Sequence, residues 1–236
     1  MINARDRIVL SERLRCIAAF VPENDRIADI GTDHALLPLW LLQNNRVSFA
    51  VASDIHLGPL SAAEKNRTAF NETRLRCILC DGLDLIPLEQ VDTIIIAGLG
   101  GESIVRILDN ARSDFYKKRF ILQPMTKPEE VRKWIKNHDL KIDKERLVID
   151  EGKLYQVFSF FGNGSGFFPE FEYYTGQTTL LLNDPLFPRL LSHYEERFKK
   201  IINGLSCSKG CMDPSKALYY QNCLQSLRAA RNRIQQ

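Results

Sequence analysis

Short apolar runs alternate with longer amphipathic segments along the first two thirds of the chain, and this pattern predicts strands alternating with helices. We expect strands over residues 26–30, 48–53, 74–80, 91–97 and 119–123. The fourth run contains Ile94-Ile95-Ile96, which is apolar at every position, as is typical of a central strand. We therefore predict a sheet that is covered on both faces.

Helical patterns fill the intervals between these strands. We expect helices over residues 6–21, 39–43, 60–70, 102–110 and 127–137. Pro38 fits the first turn of the second helix, where its missing N–H costs nothing. Gly58-Pro59 is expected to break the chain before the third helix, and Pro124 is expected to close the fifth strand.

The alternation ends near residue 140. Two β-rich runs, 141–149 and 154–160, are joined by Asp150-Glu151-Gly152-Lys153, which predicts an antiparallel hairpin. Five βα units followed by a hairpin is the element order of a seven-stranded, Rossmann-like class I methyltransferase. A dinucleotide-dependent dehydrogenase usually continues with further βαβ units. We therefore predict this α/β fold.

The remainder of the chain has a different pattern. Asn163-Gly164-Ser165-Gly166 is interpreted as a domain boundary, followed by an aromatic and acidic connector. From residue 188, apolar residues recur at three- and four-residue spacing on both sides of a Cys207–Pro214 loop, which predicts an antiparallel helical hairpin, similar to a coiled coil. We expect a Rossmann-like domain over residues 1–162, and a connector and helical hairpin over residues 163–236.

Charge is divided unevenly between these parts. Residues 1–162 carry 23 basic and 23 acidic side chains, whereas residues 189–236 carry nine basic and three acidic ones. A basic segment attached to a neutral domain is typical of a nucleic-acid-handling appendage. The alternative, a solvated helical hairpin that happens to be basic, fits the charge pattern equally well.

Composition narrows the class of protein. No run of 18 uncharged apolar residues is present, so we expect no membrane span. The apolar patch over residues 16–21 is interpreted as one face of an amphipathic helix, not as a signal segment, and we expect a cytoplasmic protein. A four-thiolate zinc site from Cys77, Cys80, Cys207 and Cys211 is conceivable, but reduced thiols are the favoured interpretation, and no metal is expected.

Candidate chemistry lies where the predicted strands stop. The stops are Asp29-Ile30-Gly31, then Asp54, then Asp81-Gly82, and finally Ala97-Gly98-Leu99-Gly100-Gly101. A dinucleotide fingerprint needs three glycines after the first strand, and only Gly31 is present, so a pyrophosphate cradle is poorly supported. Each acid could alternatively serve as a turn or helix cap, but acids at consecutive strand ends favour a ligand site.

The acids fit a ligand that carries ribose, adenine and an ammonium group, which describes S-adenosylmethionine. Asp29 could hold the ammonium group, Asp54 the ribose hydroxyls, and Asp81 the adenine amino group. Ile55 could pack on the adenine, whereas His34 could face the tail carboxylate or merely pack in its turn. The full set of candidate cofactor-binding residues is Asp29, Gly31, Thr32, His34, Asp54, Ile55, Asp81, Gly82, Ala97, Gly98 and Gly100.

The segment 97–101, which follows the fourth predicted strand, lacks the aromatic side chain that methyltransferases of exocyclic amines often carry there. Its glycines leave open space and bare backbone donors beside the transferred methyl group. The alternative is a glycine-rich turn into a helix, with Glu102 in the first helical turn, where the helix dipole favours an acid.

In several motifs the chain resembles a known family, the bacterial tRNA (adenine-22-N1)-methyltransferases, called TrmK-like. The shared motifs are Asp29-Ile30-Gly31-Thr32-Asp33-His34-Ala35, Ala52-Ser53-Asp54 with Gly58-Pro59, Cys80-Asp81-Gly82-Leu83, Ile96-Ala97-Gly98-Leu99-Gly100-Gly101, Leu122-Gln123-Pro124 and Glu151-Gly152-Lys153-Leu154-Tyr155. The resemblance covers most of residues 8–160. The family often has Met where this chain has Leu99.

The resemblance implies methyl transfer from S-adenosylmethionine to N1 of an adenine, adenine 22 in the D-arm, of tRNA. Neutral adenine carries a lone pair on N1, so alignment is expected to dominate catalysis. The product ring is cationic, so a carboxylate could stabilise the developing charge. Asp29 is the first catalytic candidate, and Asp33, Gln123 and Glu102 are weaker ones.

The basic tail would then contact tRNA phosphates, which position a substrate without reading its bases. The expected contacts are Arg189, Arg197, Lys199, Lys200, Arg228, Arg231 and Arg233. The main alternative is a methyltransferase of a small metabolite with the hairpin as a dimerisation arm. A nicotinamide-dependent oxidoreductase and a non-enzymatic RNA-binding protein fit the residues less well. The oligomeric state stays open, with a monomer slightly favoured.

Overall fold

The computed structural model describes residues 7–111, 115, 117–164, 169–207 and 214–234, apart from the side chains of residues 163 and 207. The chain divides into two compact units. The first comprises Met1–Lys144 and Val148–Gly166, and the second comprises Glu145–Leu147 and Phe167–Gln236.

The described residues contain a seven-stranded sheet, which belongs to the first unit except at Glu145–Leu147. Its strands are β1 (Arg26–Ile30), β2 (Phe49–Asp54), β3 (Leu75–Leu79), β4 (Thr93–Gly100), β5 (Arg119–Thr126), β6 (Leu140–Asp150) and β7 (Lys153–Asn163). Their order across the sheet is β3-β2-β1-β4-β5-β7-β6. β1 to β5 pair in parallel, and β7 pairs antiparallel to β5. The predicted Rossmann-like sheet with an antiparallel terminal hairpin is confirmed.

Helices connect the strands and cover both faces of the sheet. In the first unit they are α1 (Glu12–Ala18), α2 (Leu36–Gln43), α3 (Leu57–Ala69), α4 (Gly101–Asp109) and α5 (Pro128–Asn137), with a short 3-10 turn over Leu88–Gln90. Successive β4 residues point to opposite faces, as the pleat requires. Ile94 and Ile96 join one apolar core and Ile95 joins the other, and all three are fully buried.

Three local predictions were wrong for identifiable reasons. α1 begins at Glu12, not near residue 6, because Ser11 caps it by accepting a 3.4 Å bond from the Leu14 amide. Gly58-Pro59 does not break the chain, since both residues fit the first turn of α3. β5 does not end at Pro124 but continues to Thr126, because its pairing with β4 shifts register at Leu99 and the β4 bulge accommodates the proline.

The second unit contains α6 (Glu172–Thr175), α7 (Thr178–Leu181), α8 (Phe187–Cys207) and α9 (Pro214–Ile234). α8 and α9 run antiparallel, because Glu195 in the first half of α8 pairs with Arg228 and Arg231 near the end of α9. Tyr194, Phe198 and Leu227 are buried in this unit. The predicted helical pair is thus confirmed.

Some sequence predictions fall outside the described residues. These are residue 6 of the first predicted helix, the part of the domain boundary at 165–166, the connector at 167–168 and residues 208–213 of the predicted loop with the thiol of Cys211, together with the side chain of Cys207. Of the other two thiols considered for zinc, Cys77 is partly exposed and Cys80 is buried, and both are free. Among the described residues, no group of three His, Cys, Asp or Glu side chains is placed to hold a metal ion.

Candidate functional site

The strand order reverses between β1 and β4, since β2 and β3 lie on one side of β1 and β4 and β5 lie on the other. In open α/β sheets, ligands bind outside the carboxyl ends of the strands at such a switch point. A cavity of about 220 Å³ lies there. Its lining residues are Arg13, Leu14, Asp29, Gly31, Asp33, Leu36, Leu37, Ala97 and Gly98.

Asp29 is the buried acid of this cavity. It precedes the last residue of β1, and only 7% of its surface is exposed. The hydroxyl of Thr32, which is itself buried, donates to Asp29 Oδ2 at 2.7 Å. Burial raises the pKa of the Asp29 carboxyl from 3.8 to about 6, although the Thr32 hydrogen bond and the charge of Arg13 oppose this rise. The pKa of Asp29 therefore lies about one pH unit below neutrality, so that the carboxyl is mostly ionised at pH 7.

The turn after β1 depends on Gly31, whose φ of +74° is unfavourable for residues with a Cβ. A Cβ at this position would lie 3.3 Å from Leu99 Cδ1. The amides of Gly31 and Thr32 both donate to the Ser53 carbonyl, at 2.9 and 2.8 Å. Because their hydrogens are used within the fold, these amides do not form a cradle for a phosphate.

His34 is not one of the residues that line the cavity. Its backbone is left-handed, with φ of +59°, and its Nε2 lies 3.2 Å from Asp33 Oδ1. Its carbonyl accepts from Asn66 Nδ2 at 2.9 Å, which ties the turn to α3. Asp33 does line the cavity, although its side chain is 84% exposed.

Asp54 and Asp81 lie at the carboxyl ends of the next two strands. Asp54 ends β2, and its Oδ1 accepts from the His56 amide at 2.7 Å. Ile55 beside it is half exposed. Asp81 follows β3, and its carboxylate lies 3.4 Å from the Arg106 guanidinium of α4. Gly82, with φ of +55°, completes this turn.

The glycines after β4 serve different purposes. Gly98 has φ of +79° and faces the cavity, and its amide donates to Gln123 Oε1 at 3.1 Å. Gly100 is the N-cap of α4. Gly101 has no room for a side chain, because a Cβ there would overlap the Lys127 carbonyl oxygen. Gly98 thus shapes the cavity, whereas Gly101 lets α4 approach the segment after β5.

Gln123 is fully buried and fixed by hydrogen bonds. Its Oε1 accepts from Arg13 Nη1 at 2.7 Å and from the Gly98 amide, and its Nε2 donates to the Pro124 carbonyl at 3.0 Å. Gln123 therefore holds the β4 segment and the Arg13 side chain. Glu102, another weak candidate, is exposed and paired with Lys127 Nζ at 2.5 Å.

Four residues that line the cavity were not predicted from the sequence, namely Arg13, Leu14, Leu36 and Leu37, and Arg13 is the charged one among them. It occupies the polar face of an amphipathic helix, a position that is normally solvated. Its partners Gln123 and Asp150 lie 110 or more residues further along the chain. The only sequence signal was a basic residue in a helix that precedes a nucleotide-type strand.

The fold and the site define a doubly wound α/β protein with a ligand cavity at the switch point and acids at three strand ends. The family model described as "Methyltransferase domain" matches residues 10–158. The chain belongs to this methyltransferase-domain family. No helix in the described residues has the length and apolar character needed to cross a bilayer.

Known proteins refine this assignment. The chain is 34% identical over 154 residues to the Bacillus subtilis tRNA (adenine(22)-N(1))-methyltransferase, a match that covers 64% of this chain but only 65% of that relative. The B. subtilis TrmK crystal structure superposes with a TM-score of 0.84 at 25% identity, covering 95% of this chain and 99% of that one. M. capricolum TrmK in complex with S-adenosyl-homocysteine gives 0.80 at 30% identity, covering 95% and 99%. The predicted resemblance is confirmed.

Proposed function

We propose that this protein transfers a methyl group from S-adenosylmethionine to N1 of an adenine in tRNA. The observation that carries the proposal is the placement of Asp29, Asp54 and Asp81 at the carboxyl ends of three adjacent strands, β1, β2 and β3, beside the switch point. Adenine 22 as the target base rests on the likeness to the B. subtilis enzyme.

The hydrogen-bond acceptors of the site match the donors of the proposed cofactor. A buried carboxylate at Asp29 suits an ammonium group, and the acids at Asp54 and Asp81 suit ribose hydroxyls and an adenine amino group. The half-exposed Ile55 offers an apolar surface beside Asp54 for the adenine ring. Gly31 and Gly98 keep the cavity free of side chains where the backbone passes it. When bound, the cofactor supplies an electrophilic methyl group on a sulfonium.

The chain's own residues then have two tasks. The first is alignment, since adenine N1 already carries its lone pair and needs no general base. Gln123 serves this task by fixing the Gly98 backbone at the cavity. The second is electrostatic, because methylation at N1 leaves a positive ring. Asp29, with a pKa of about 6, is ionised at pH 7 and offers a negative charge to that ring.

The helical pair of the second unit supplies basic side chains for phosphate contacts. Arg228 and Arg231 on α9 and Lys199 on α8 surround the Glu195 carboxylate at 2.8–3.1 Å, so part of the predicted basic surface is neutralised internally. Arg189 and Lys200 are exposed on α8. We propose that these cations bind the tRNA backbone, and that the enzyme acts in the cytoplasm.

The test is nucleoside mass spectrometry of unmodified tRNA incubated with the protein and S-adenosylmethionine. The proposal expects N1-methyladenosine, and primer extension that stops one nucleotide before adenine 22. Methylation of a small metabolite with tRNA left unmodified would favour the alternative, in which the helical pair serves as a dimerisation arm. The variant Asp54→Asn should lose cofactor binding and methylation together.

A further inference from the structure

A cavity of about 500 Å³ lies within the second unit, and it shares no lining residue with the cavity at the switch point. It is bounded by the segment 169–182 and by one stripe of α9. The α9 residues that line it recur at the three- and four-residue spacing of a single helix face, and they are Ser226, Ala229, Ala230, Arg233 and Ile234. Three of these five side chains are small, which leaves space beside the helix. Cavities of about 300–1,000 Å³ are typical of small-ligand sites, so this one has room for a ligand of nucleotide size.

Most of the cavity lining is apolar. Pro169, Phe171 and Leu182 line it from the segment that precedes α8, and Ala229 and Ala230 line it from α9. Phe171 is buried, whereas Leu182 is half exposed, so the apolar lining extends from the protein interior to solvent. Apolar surface on two sides of a cavity suits a flat aromatic ring, which can enter from solvent and leave one edge in contact with polar groups.

Glu172 is the acidic residue of this lining among the described residues, and only 7% of its surface is exposed. It begins α6, and its Oε1 accepts from the amide of Thr178, the first residue of α7, at 3.0 Å. A carboxylate has about four acceptor positions, so this bond leaves capacity for donors of a ligand. Thr178 also lines the cavity, and its buried hydroxyl has no hydrogen-bond partner within the described part of the chain. Buried polar groups are rarely left unpaired, so the cavity favours a ligand with polar atoms at one edge.

Arg233 supplies the opposite charge to the same cavity. Its side chain is exposed, and it forms no ion pair with any described residue, unlike Arg228 and Arg231 of the same helix. A guanidinium suits a phosphate, which it can bind through two parallel hydrogen bonds. The cavity therefore combines a buried carboxylate, apolar walls and an exposed cation. A nucleotide offers the complementary groups, namely N–H donors on the base edge, a flat ring and a phosphate.

The carboxylate also selects among the bases. Guanine alone among the four bases has two adjacent N–H donors on its Watson–Crick edge, N1–H and the 2-amino group. Such a pair of donors matches the two oxygens of a carboxylate. Adenine presents one donor and one acceptor there, and its acceptor would face the negative charge of Glu172. The buried acid therefore favours guanine.

We propose that the cavity of the second unit binds an unstacked guanine nucleotide of the tRNA, with the base edge at Glu172 and a phosphate at Arg233. This inference rests on the proposed function, because that function makes tRNA the partner. Proteins read RNA sequence mainly at unpaired nucleotides, whose Watson–Crick edges are accessible. The helical unit would then read one base in addition to contacting phosphates.

The experiment is a comparison of GMP, IMP and AMP by saturation-transfer NMR titrations on the full-length protein. Saturating S-adenosylhomocysteine is present throughout, so that the switch-point cavity is occupied. IMP lacks only the 2-amino group of GMP, and the wild type should prefer GMP over IMP by about 10-fold, the usual effect of one hydrogen bond to a charged group. Glu172→Gln keeps an acceptor for the Thr178 amide but presents one donor and one acceptor, so it should reverse the preference in favour of AMP. Arg233→Ala should weaken all three nucleotides about equally, by about 5- to 10-fold.

Glu196→Gln and Arg189→Ala are the matched controls, since both residues are exposed on α8 and lie outside the cavity lining. Their nucleotide affinities should equal those of the wild type. Unmodified tRNA added to the complex should displace GMP. Absence of GMP binding, equal affinity for the three nucleotides, an unchanged preference in Glu172→Gln, or simultaneous binding of GMP and tRNA would each overturn the inference. If the preference follows Glu172 and tRNA displaces GMP, but tRNA stays unmethylated, the inference survives and the proposed function fails.

Discussion

The Thr32 hydroxyl donates a 2.7 Å hydrogen bond to the Asp29 carboxylate, and both residues are buried, with 1% and 7% of their surface exposed. Burial raises the pKa of Asp29, and this bond acts in the opposite direction. The bond therefore helps to keep a buried carboxylate charged at neutral pH, as the proposed ammonium-binding role requires. Its titration near pH 6 makes the role of Asp29 measurable.

Folding stability should carry the signature of this pKa. Since the pKa of Asp29 is higher in the folded protein, at about 6, than its ordinary 3.8, the folded state binds more protons between these values. The contribution of Asp29 is therefore fully favourable below pH 3.8 and is lost as the pH rises through 6. A pKa that is about two pH units higher in the folded than in the unfolded state corresponds to about 3 kcal/mol of folding free energy. Asp29→Asn should gain stability relative to the wild type as the pH rises from 4 to 7.5.

Urea denaturation at a series of pH values measures this difference. The matched control is Asp84→Asn, since Asp84 is an exposed aspartate outside the cavity lining. Its stability curve should run parallel to that of the wild type. Parallel curves for Asp29→Asn as well would show that the Asp29 pKa is not raised by folding.

Cofactor affinity should depend on the same ionisation. A protonated Asp29 cannot accept from an ammonium group, so affinity for S-adenosylhomocysteine should fall about tenfold per pH unit below pH 6. Thr32→Val removes the hydrogen bond that lowers the Asp29 pKa, and should move this decline to higher pH. Titrations between pH 5 and 8 would detect the shift. Thr68→Val, which loses only an exposed bond to the Glu64 carbonyl on α3, should leave the profile in place.

Gly101 should tolerate no side chain. A Cβ at Gly101 overlaps the backbone carbonyl of Lys127, which cannot move without shifting the segment between β5 and α5. We expect Gly101→Ala to lower the free energy of unfolding by about 2–4 kcal/mol. Gly58→Ala is the control, because Gly58 lies in α3 with nothing near its would-be Cβ. Helix propensity predicts that Gly58→Ala is neutral or stabilising by up to about 1 kcal/mol. Equal effects of the two changes on the melting temperature would refute the close-approach explanation.

Glu195 should restrain the basic surface of the helical pair. It binds Lys199, Arg228 and Arg231, so Glu195→Gln should release three cations toward phosphate. We expect tighter tRNA binding and a steeper dependence of affinity on salt, since each added phosphate contact increases the slope by about one. Glu196→Gln removes the same formal charge from an exposed neighbour. Filter binding over a range of salt concentrations should show a steeper slope for Glu195→Gln alone; identical slopes would mean that these cations do not contact tRNA.

The sequence predicted those features that depend on local pattern. The apolar triplet at Ile94 to Ile96 identified the central strand, because full burial leaves no room for alternation. Asp29, Asp54 and Asp81 lie at the ends of neighbouring strands, as their positions after apolar runs predicted. Their ligand roles, in contrast, stay predictions until binding is measured.

Features that depend on distant contacts could not be predicted. Arg13 was not among the candidate site residues, since its partner Gln123 is 110 positions away. The requirement for glycine at position 101 is visible only in the folded structure, where the Lys127 carbonyl oxygen occupies the space that a Cβ would need. Pro124 was expected to end β5, because a register shift between β4 and β5 leaves no trace in local sequence. In each case tertiary packing decided what propensity alone left open.

The most direct test of the central claim is liquid chromatography and mass spectrometry of nucleosides from unmodified tRNA treated with this protein and S-adenosylmethionine. The account predicts N1-methyladenosine at a yield approaching one per acceptor tRNA, absent without the cofactor and strongly reduced in Asp29→Asn. Absence of N1-methyladenosine, with S-adenosylhomocysteine bound normally by the same preparation, would contradict the proposed reaction.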